Sequence, residues 1–131
     1  MSLHPVLSAA ERRRRLLEGI EQLQRGEFFA AHETWEEVWR STTPEPKTLL
    51  QGLIQVAAAL HQARDLHRRE GPRRTLAKAR SNLEPYAPVA LGLDVEDLLR
   101  SVDAWRDWLE RHEGEAPAWP RVRVVDQEEL R

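Results

Sequence analysis

Two pairs of ionisable side chains are the residues best placed to do chemistry in this chain: His32 with Glu36, and His61 with Asp65. Each pair is four residues apart, the spacing that sets two side chains above one another on a helix face. An imidazole beside a carboxylate has two chemical uses. The carboxylate can hold one ring nitrogen so that the other works as a general base. Alternatively, if the two helices pack antiparallel across a short loop, the pairs converge, and two histidines with one or two carboxylates can hold a divalent ion such as zinc, manganese or iron. The metal ligands would then be His32, Glu36, His61 and Asp65. A third reading assigns no chemistry: His32, Glu36 and His61 hydrogen-bond one another inside a bundle and fix its register.

The surroundings of the first pair are aromatic. Within Phe28-Phe29-Ala30-Ala31-His32-Glu33-Thr34-Trp35-Glu36-Glu37-Val38-Trp39, helical offsets place Phe28, His32, Trp35, Glu36 and Trp39 on one face. An imidazole and a carboxylate in such a face are costly unless both find partners. The expectation is a polar pocket between the second and third helices, with His32 and Glu36 at its centre, Trp35 and Trp39 as walls, His61 opposite, and Gln55 as an orienting hydrogen-bonding group. Glu33 and Glu37 point away from that centre.

Spacing excludes several enzyme labels. His32-Glu33-Thr34-Trp35-Glu36 starts like the zinc-protease pattern His-Glu-x-x-His but ends in Glu36. The Glu-x-x-His pair of di-iron bundles is absent, because Phe29 and Ala58 stand three residues before the histidines. There is no glycine-rich phosphate loop and no nucleophile elbow. A metal-dependent or acid-base hydrolase using His32, Glu36 and His61 stays open as an alternative to a ligand pocket.

The elements that must position these residues read as helices throughout. Ser8 and Glu11 form a capping-box pattern for a first helix over about 8–25, stopped by Gly26. The second runs over about 27–41 and ends before Pro44 and Pro46. The third, 46–69, is small and apolar almost all round from Gly52 to Leu60, which suits the middle of a bundle, and Gly71-Pro72 breaks it. A fourth spans 72–84. A fifth, 94–112, starts at Asp94 and turns Leu98, Leu99, Val102, Trp105, Trp108 and Leu109 inward. Residues 114–131 form an irregular tail that Trp119 and alternating valines lay against the body. Leu3, Val6 and Leu7 form an arm that packs down at the other end. The fold class is therefore an all-α, single-domain bundle of about five helices.

Composition bounds the rest. At 131 residues and 15.2 kDa the chain is one domain with one core. A net charge of −2 gives no field for nucleic acid or an anionic membrane, and Arg12 to Arg15 spread around their helix as solvated surface instead of forming a stripe. No cysteine is present, which removes disulfides and thiolate chemistry. No apolar run is long enough to span a bilayer and the N-terminus lacks a secretory pattern, so a cytoplasmic protein is expected. The alternative role is an interaction module in which a tryptophan-rich surface and the Arg12–Arg15 run serve a protein or nucleic-acid partner and the His/Glu cluster is structural; exposed tryptophans would also suit a homo-oligomer. His4, His67 and His112 are read as solvent-facing.

Two motifs in order, Phe28-Phe29-x-Ala31-His32-Glu33-x-Trp35-Glu36-x-x-Trp39 and Gly52-Leu53-Ile54-Gln55-x-Ala57-x-Ala59-x-His61, resemble the domain of unknown function 309 family of small bacterial and archaeal proteins. The resemblance implies a bundle of about five helices and a signature at His32, Glu33, Trp35, Glu36, Trp39, Gln55 and His61. That family usually has an asparagine shortly after the second motif, where this chain has Arg68-Arg69-Glu70-Gly71. The resemblance brings no activity with it.

Overall fold

The computed structural model describes residues 7–41, 46–111 and 113–125. Among these described residues the fold is all-α, with five α-helices: α1 Ala9–Gln24, α2 Phe28–Ser41, α3 Lys47–Leu60, α4 Glu70–Leu83 and α5 Val95–Arg111. A two-stranded hairpin, β1 Val89–Ala90 and β2 Leu93–Asp94, precedes α5. Among the described residues, no helix is long and apolar enough to cross a membrane.

The capping box forms as expected. Glu11 N–H donates to the Ser8 hydroxyl at 3.1 Å, and Ser8 N–H donates back to the Glu11 carboxylate at 3.4 Å. At the other end of α1, Gly26 takes φ +80° and the Glu27 N–H reaches back to Gln22 C=O at 2.9 Å, so the chain reverses into α2 within one short turn. α3 is the central helix. Leu49, Leu50, Gly52, Leu53, Ile54, Val56, Ala57, Ala59 and Leu60 are all buried, and it packs on α2 and on α4. A side chain at Gly52 would fall 2.6 Å from Leu83 Cγ, so the glycine sets how closely α3 and α4 approach.

The third helix departs from the sequence expectation at its C-terminal end. Regular helix stops at Leu60, and His61–Asp65 forms a π-turn closed by Leu66 N–H donating to His61 C=O at 3.3 Å. His67 then takes a left-handed conformation, φ 53°, and α4 begins at Glu70. Gly71-Pro72 therefore opens α4 instead of breaking α3. Pro72 is tolerated because the first four N–H groups of a helix have no partner within it.

The hairpin is the other departure. Leu91 and Gly92 both have positive φ, 51° and 73°, the geometry of a two-residue turn between antiparallel strands. The tail adds to its edge: Asp94 N–H donates to Arg123 C=O at 2.8 Å and Val125 N–H to Gly92 C=O at 2.7 Å, with a bridge between Leu93 and Val124. Val122 and Val125 are buried, so this part of the tail does lie on the body. Trp105 Nε1 donates to Ala118 C=O and Trp108 Nε1 to Gly114 C=O, at 3.0 and 3.1 Å. These two tryptophans thus anchor the tail as well as the core. The arm at Leu3 and Val6, His4, the Thr42–Glu45 stretch, His112 and residues 126–131 lie outside the described residues.

The arginine run stays on the body surface, as its spread around α1 implies. Arg12 donates to Leu7 C=O, Arg13 to Leu91 C=O, and Arg15 pairs with Glu37, each at 2.7 Å.

Asp94 joins α5 to the tail. Its carboxylate accepts from Asp97 N–H at 2.9 Å as the cap of α5, and from Arg123 Nη2 at 3.0 Å. The Asp97 N–H, then Arg123, hold the Asp94 carboxyl below its ordinary value of 3.8. A group whose carboxyl is lowered on folding stabilises the fold above its unfolded pKa and loses that contribution as pH falls through the folded value. Urea melts of the native chain and of Asp94→Asn, whose amide still caps the helix, should therefore diverge least at low pH. Below about pH 4 the native stability falls more steeply than that of the variant. Parallel pH profiles would contradict this role for Asp94.

Candidate functional site

α2 carries His32 and Glu36 one turn apart, and His32 Nε2 stands 3.2 Å from Glu36 Oε1. Glu36 is shared, since Arg40 Nη2 donates to its other oxygen at 3.2 Å. The second His32 nitrogen, Nδ1, is buried and has no hydrogen-bond partner among the described residues. In the π-turn, His61 Nδ1 donates to Asp65 Oδ2 at 2.8 Å. A carboxylate only accepts, so this bond leaves the proton on Nδ1 of the neutral ring and the lone pair on Nε2.

The two histidines meet through a ring that the sequence reading did not single out. The Phe29 ring lies 6.0 Å from the His32 ring at an interplanar angle of 20°, and 5.2 Å from the His61 ring at 48°. Phe29 is 53% exposed, while the side chains of His32 and His61 are 24% and 27% exposed. The site is a surface platform of one phenyl ring flanked by two imidazoles, each backed by a carboxylate.

Asp65 is held from a second side. Arg64 Nε donates to Asp65 Oδ1 at 2.7 Å, and this bond, followed by that from His61, keeps the Asp65 carboxyl below the usual carboxylate range. Arg64 Nη2 also donates to Gly26 C=O at 2.7 Å. Its guanidinium lies 4.2 Å from the centre of the Phe28 ring and 5.3 Å from that of Trp119. Neither Arg64 nor Trp119 figured in the sequence reading of the site. Arg64 had only its position beside Asp65 to mark it, and nothing in the spacing marks Trp119.

The remaining expected residues do not gather at this platform. Trp35 is fully buried, with Nε1 donating to Leu16 C=O of α1 at 3.1 Å. It is a core residue between α1 and α2. Trp39 is half-buried and covered by the Lys47 ammonium at 4.4 Å. Gln55 faces α4, where its Oε1 accepts from Asn82 Nδ2 at 2.8 Å. Glu33 is exposed. With Gln22, Ala30, Thr34, Glu36, Glu37 and Arg40 it lines an open hollow of about 470 Å³.

Among the described residues, no three histidine, aspartate or glutamate side chains gather into a group that could hold a metal ion. His32, Glu36, His61 and Asp65 thus stand as two separate pairs. Each carboxylate is occupied by its own histidine and a neighbouring arginine, and each imidazole lies against Phe29. The tryptophans are mainly structural: Trp35 and Trp105 are buried, and among the large exposed apolar residues only Trp119 is a tryptophan.

Residues 16–74 match the model of a family described as Domain of unknown function (DUF309). The matched stretch holds Phe29, both histidine pairs and Arg64, and it stops short of Asn82 and Trp119. No curated protein matches the chain.

Proposed function

We propose that this chain, a member of the DUF309 family through its residues 16–74, binds a small ligand on the platform of Phe29, His32 and His61. The ligand would have a flat apolar part and an N–H or O–H donor. The observation that carries this reading is the pairing of a 53% exposed phenyl ring with an imidazole whose other nitrogen is already committed to Asp65. An exposed aromatic side chain alone is ordinary surface. One set between two carboxylate-backed imidazoles offers a stacking face next to a hydrogen-bond acceptor, His61 Nε2. The platform lies at a π-turn, a rare distortion that recurs at functional sites.

Stacking on one ring is worth about 0.5–1.5 kcal/mol, and a neutral hydrogen bond about the same. Small probes should therefore bind weakly, with Kd values of about tens of millimolar, where chemical-shift mapping of the ¹⁵N-labelled full chain detects them. Indole should move the resonances of Phe29, His32 and His61. Its N-methyl derivative 1-methylindole, which has no donor, should bind about fivefold more weakly for a loss of about 1 kcal/mol. Phe29→Ala should remove both effects. If neither probe perturbs these resonances, or if both act equally on Phe29→Ala, the reading fails.

A protein partner is the second occupant that one observation favours, because Leu66, next to the π-turn, is also exposed at 45%. Weak indole binding with no preference over 1-methylindole would point that way, since a protein interface draws on apolar area more than on a single acceptor.

A further inference from the structure

We infer that Arg64 is the positioning residue of the His61 site, and that the C-terminal segment reaches the site through Trp119. The inference rests on the proposed role of His61 as the polar end of the ligand platform. Four groups meet one guanidinium. Arg64 donates to Asp65 Oδ1 through Nε and to Gly26 C=O through Nη2, both at 2.7 Å. Its Cζ also lies 4.2 Å from the centre of the Phe28 ring and 5.3 Å from that of Trp119.

A planar fork fixed from these sides fixes the carboxylate it holds. Asp65 Oδ1 is committed to Arg64, which leaves Oδ2 for His61 Nδ1 at 2.8 Å. The tautomer of His61 follows from that geometry, with the proton on Nδ1 and the acceptor lone pair on Nε2. Hydrogen bonding at one ring nitrogen decides what the other can do.

Trp119 makes the arrangement conditional on the tail. Its ring meets Phe28 edge-on at 5.5 Å, and it sits so close to the α1–α2 turn that a side chain at Gly26 would come within 2.6 Å of Cη2. The preceding residue is pinned to α5, because Trp105 Nε1 donates to Ala118 C=O. Contacts therefore run from α5 through Ala118, Trp119, Arg64 and Asp65 to His61.

The test reads the His61 ring directly, without ligand. Ring-nitrogen ¹⁵N shifts of the ¹⁵N-histidine-labelled full chain, taken at about pH 8 where an ordinary imidazole is neutral, give the tautomer. The native chain should show His61 with a protonated Nδ1 and a bare Nε2, and Asp65→Ala should lose that preference. Arg64→Lys keeps the charge and the aliphatic stem but cannot bond Asp65 and Gly26 at once. It should move the His61 shifts toward the tautomer average, as should Arg64→Gln, with His32 unchanged. Trp119→Ala should move them the same way by less, and Trp119→Phe should restore the native pattern.

Native-like His61 shifts in both folded arginine variants, with the preference lost in Asp65→Ala, would show that Asp65 holds His61 unaided and would overturn the role of Arg64. Native-like shifts in Trp119→Ala would overturn the link to the tail. Failure of indole to bind would leave these ring shifts as they are, so the two readings fail separately.

Discussion

Replacing Gly19 with alanine is expected to cost about 2–4 kcal/mol of stability. A Cβ at this position of α1 would fall 2.2 Å from Trp35 Nε1 and 2.6 Å from Cδ1 and Cε2, distances that no side chain tolerates without movement. Trp35 is fully buried and its N–H is bonded to Leu16 C=O, so the indole has nowhere to withdraw. Overpacking of this kind costs about 1–3 kcal/mol, and breaking the indole hydrogen bond in a buried site adds about 1–3. The higher helix propensity of alanine returns up to about 1. Urea denaturation measures the net loss. A second variant isolates the cause: in Trp35→Phe the ring lacks the nitrogen nearest the new methyl, so adding Gly19→Ala to it should cost at least about 1 kcal/mol less than in the native chain. Equal costs in the two backgrounds would place the clash elsewhere.

Gly26→Ala should be comparably damaging, at about 2–4 kcal/mol, for two separable reasons. The position has φ +80°, and the left-handed region costs a residue with a Cβ about 1–2 kcal/mol. The new methyl would also stand 2.6 Å from Trp119 Cη2 and 2.7 Å from Arg64 Nη1, forcing both side chains away from the turn. Gly114 supplies the comparison: its φ is +78° and nothing lies within 4 Å of the added Cβ. Gly114→Ala should therefore lose only the backbone part. The difference between the two variants, read in the same denaturant titration, is the contribution of close packing at the turn. If the two cost the same, the packing of Trp119 and Arg64 on the turn adds nothing to stability.

The sequence made the helices legible because each has its own local signal. Ser8 and Glu11 announce α1, Asp94 announces α5, and the run from Gly52 to Leu60 could only be buried. The family resemblance held over residues 16–74. Both histidine–carboxylate pairs formed, because a four-residue spacing is a property of one helix. What was hidden depended on which side of a helix meets which neighbour. Trp35 and His32 seemed to share a face, yet Trp35 turns into α1 and His32 toward Phe29. Gln55 found Asn82, twenty-seven residues on. Trp119 reached Arg64 by a path through the tail that no periodicity encodes. The hairpin escaped notice because Leu91 occupies a positive-φ position where glycine or asparagine would have flagged a turn.

The π-turn at His61–Asp65 adds one residue to the last turn of α3, just before the chain leaves the helix at Leu66 and His67. Closing a turn with one extra residue delays everything after it by about 100° of rotation. Asp65 thus falls out of phase with Ile54 and Ala58, which a regular helix would have kept within about 20° of it. A chain shortened by one residue here would restore regular bonding and keep every residue type of the site. The register that aims Arg64 at Gly26 would be lost, so the local backbone count, as much as any side chain, specifies where this platform points.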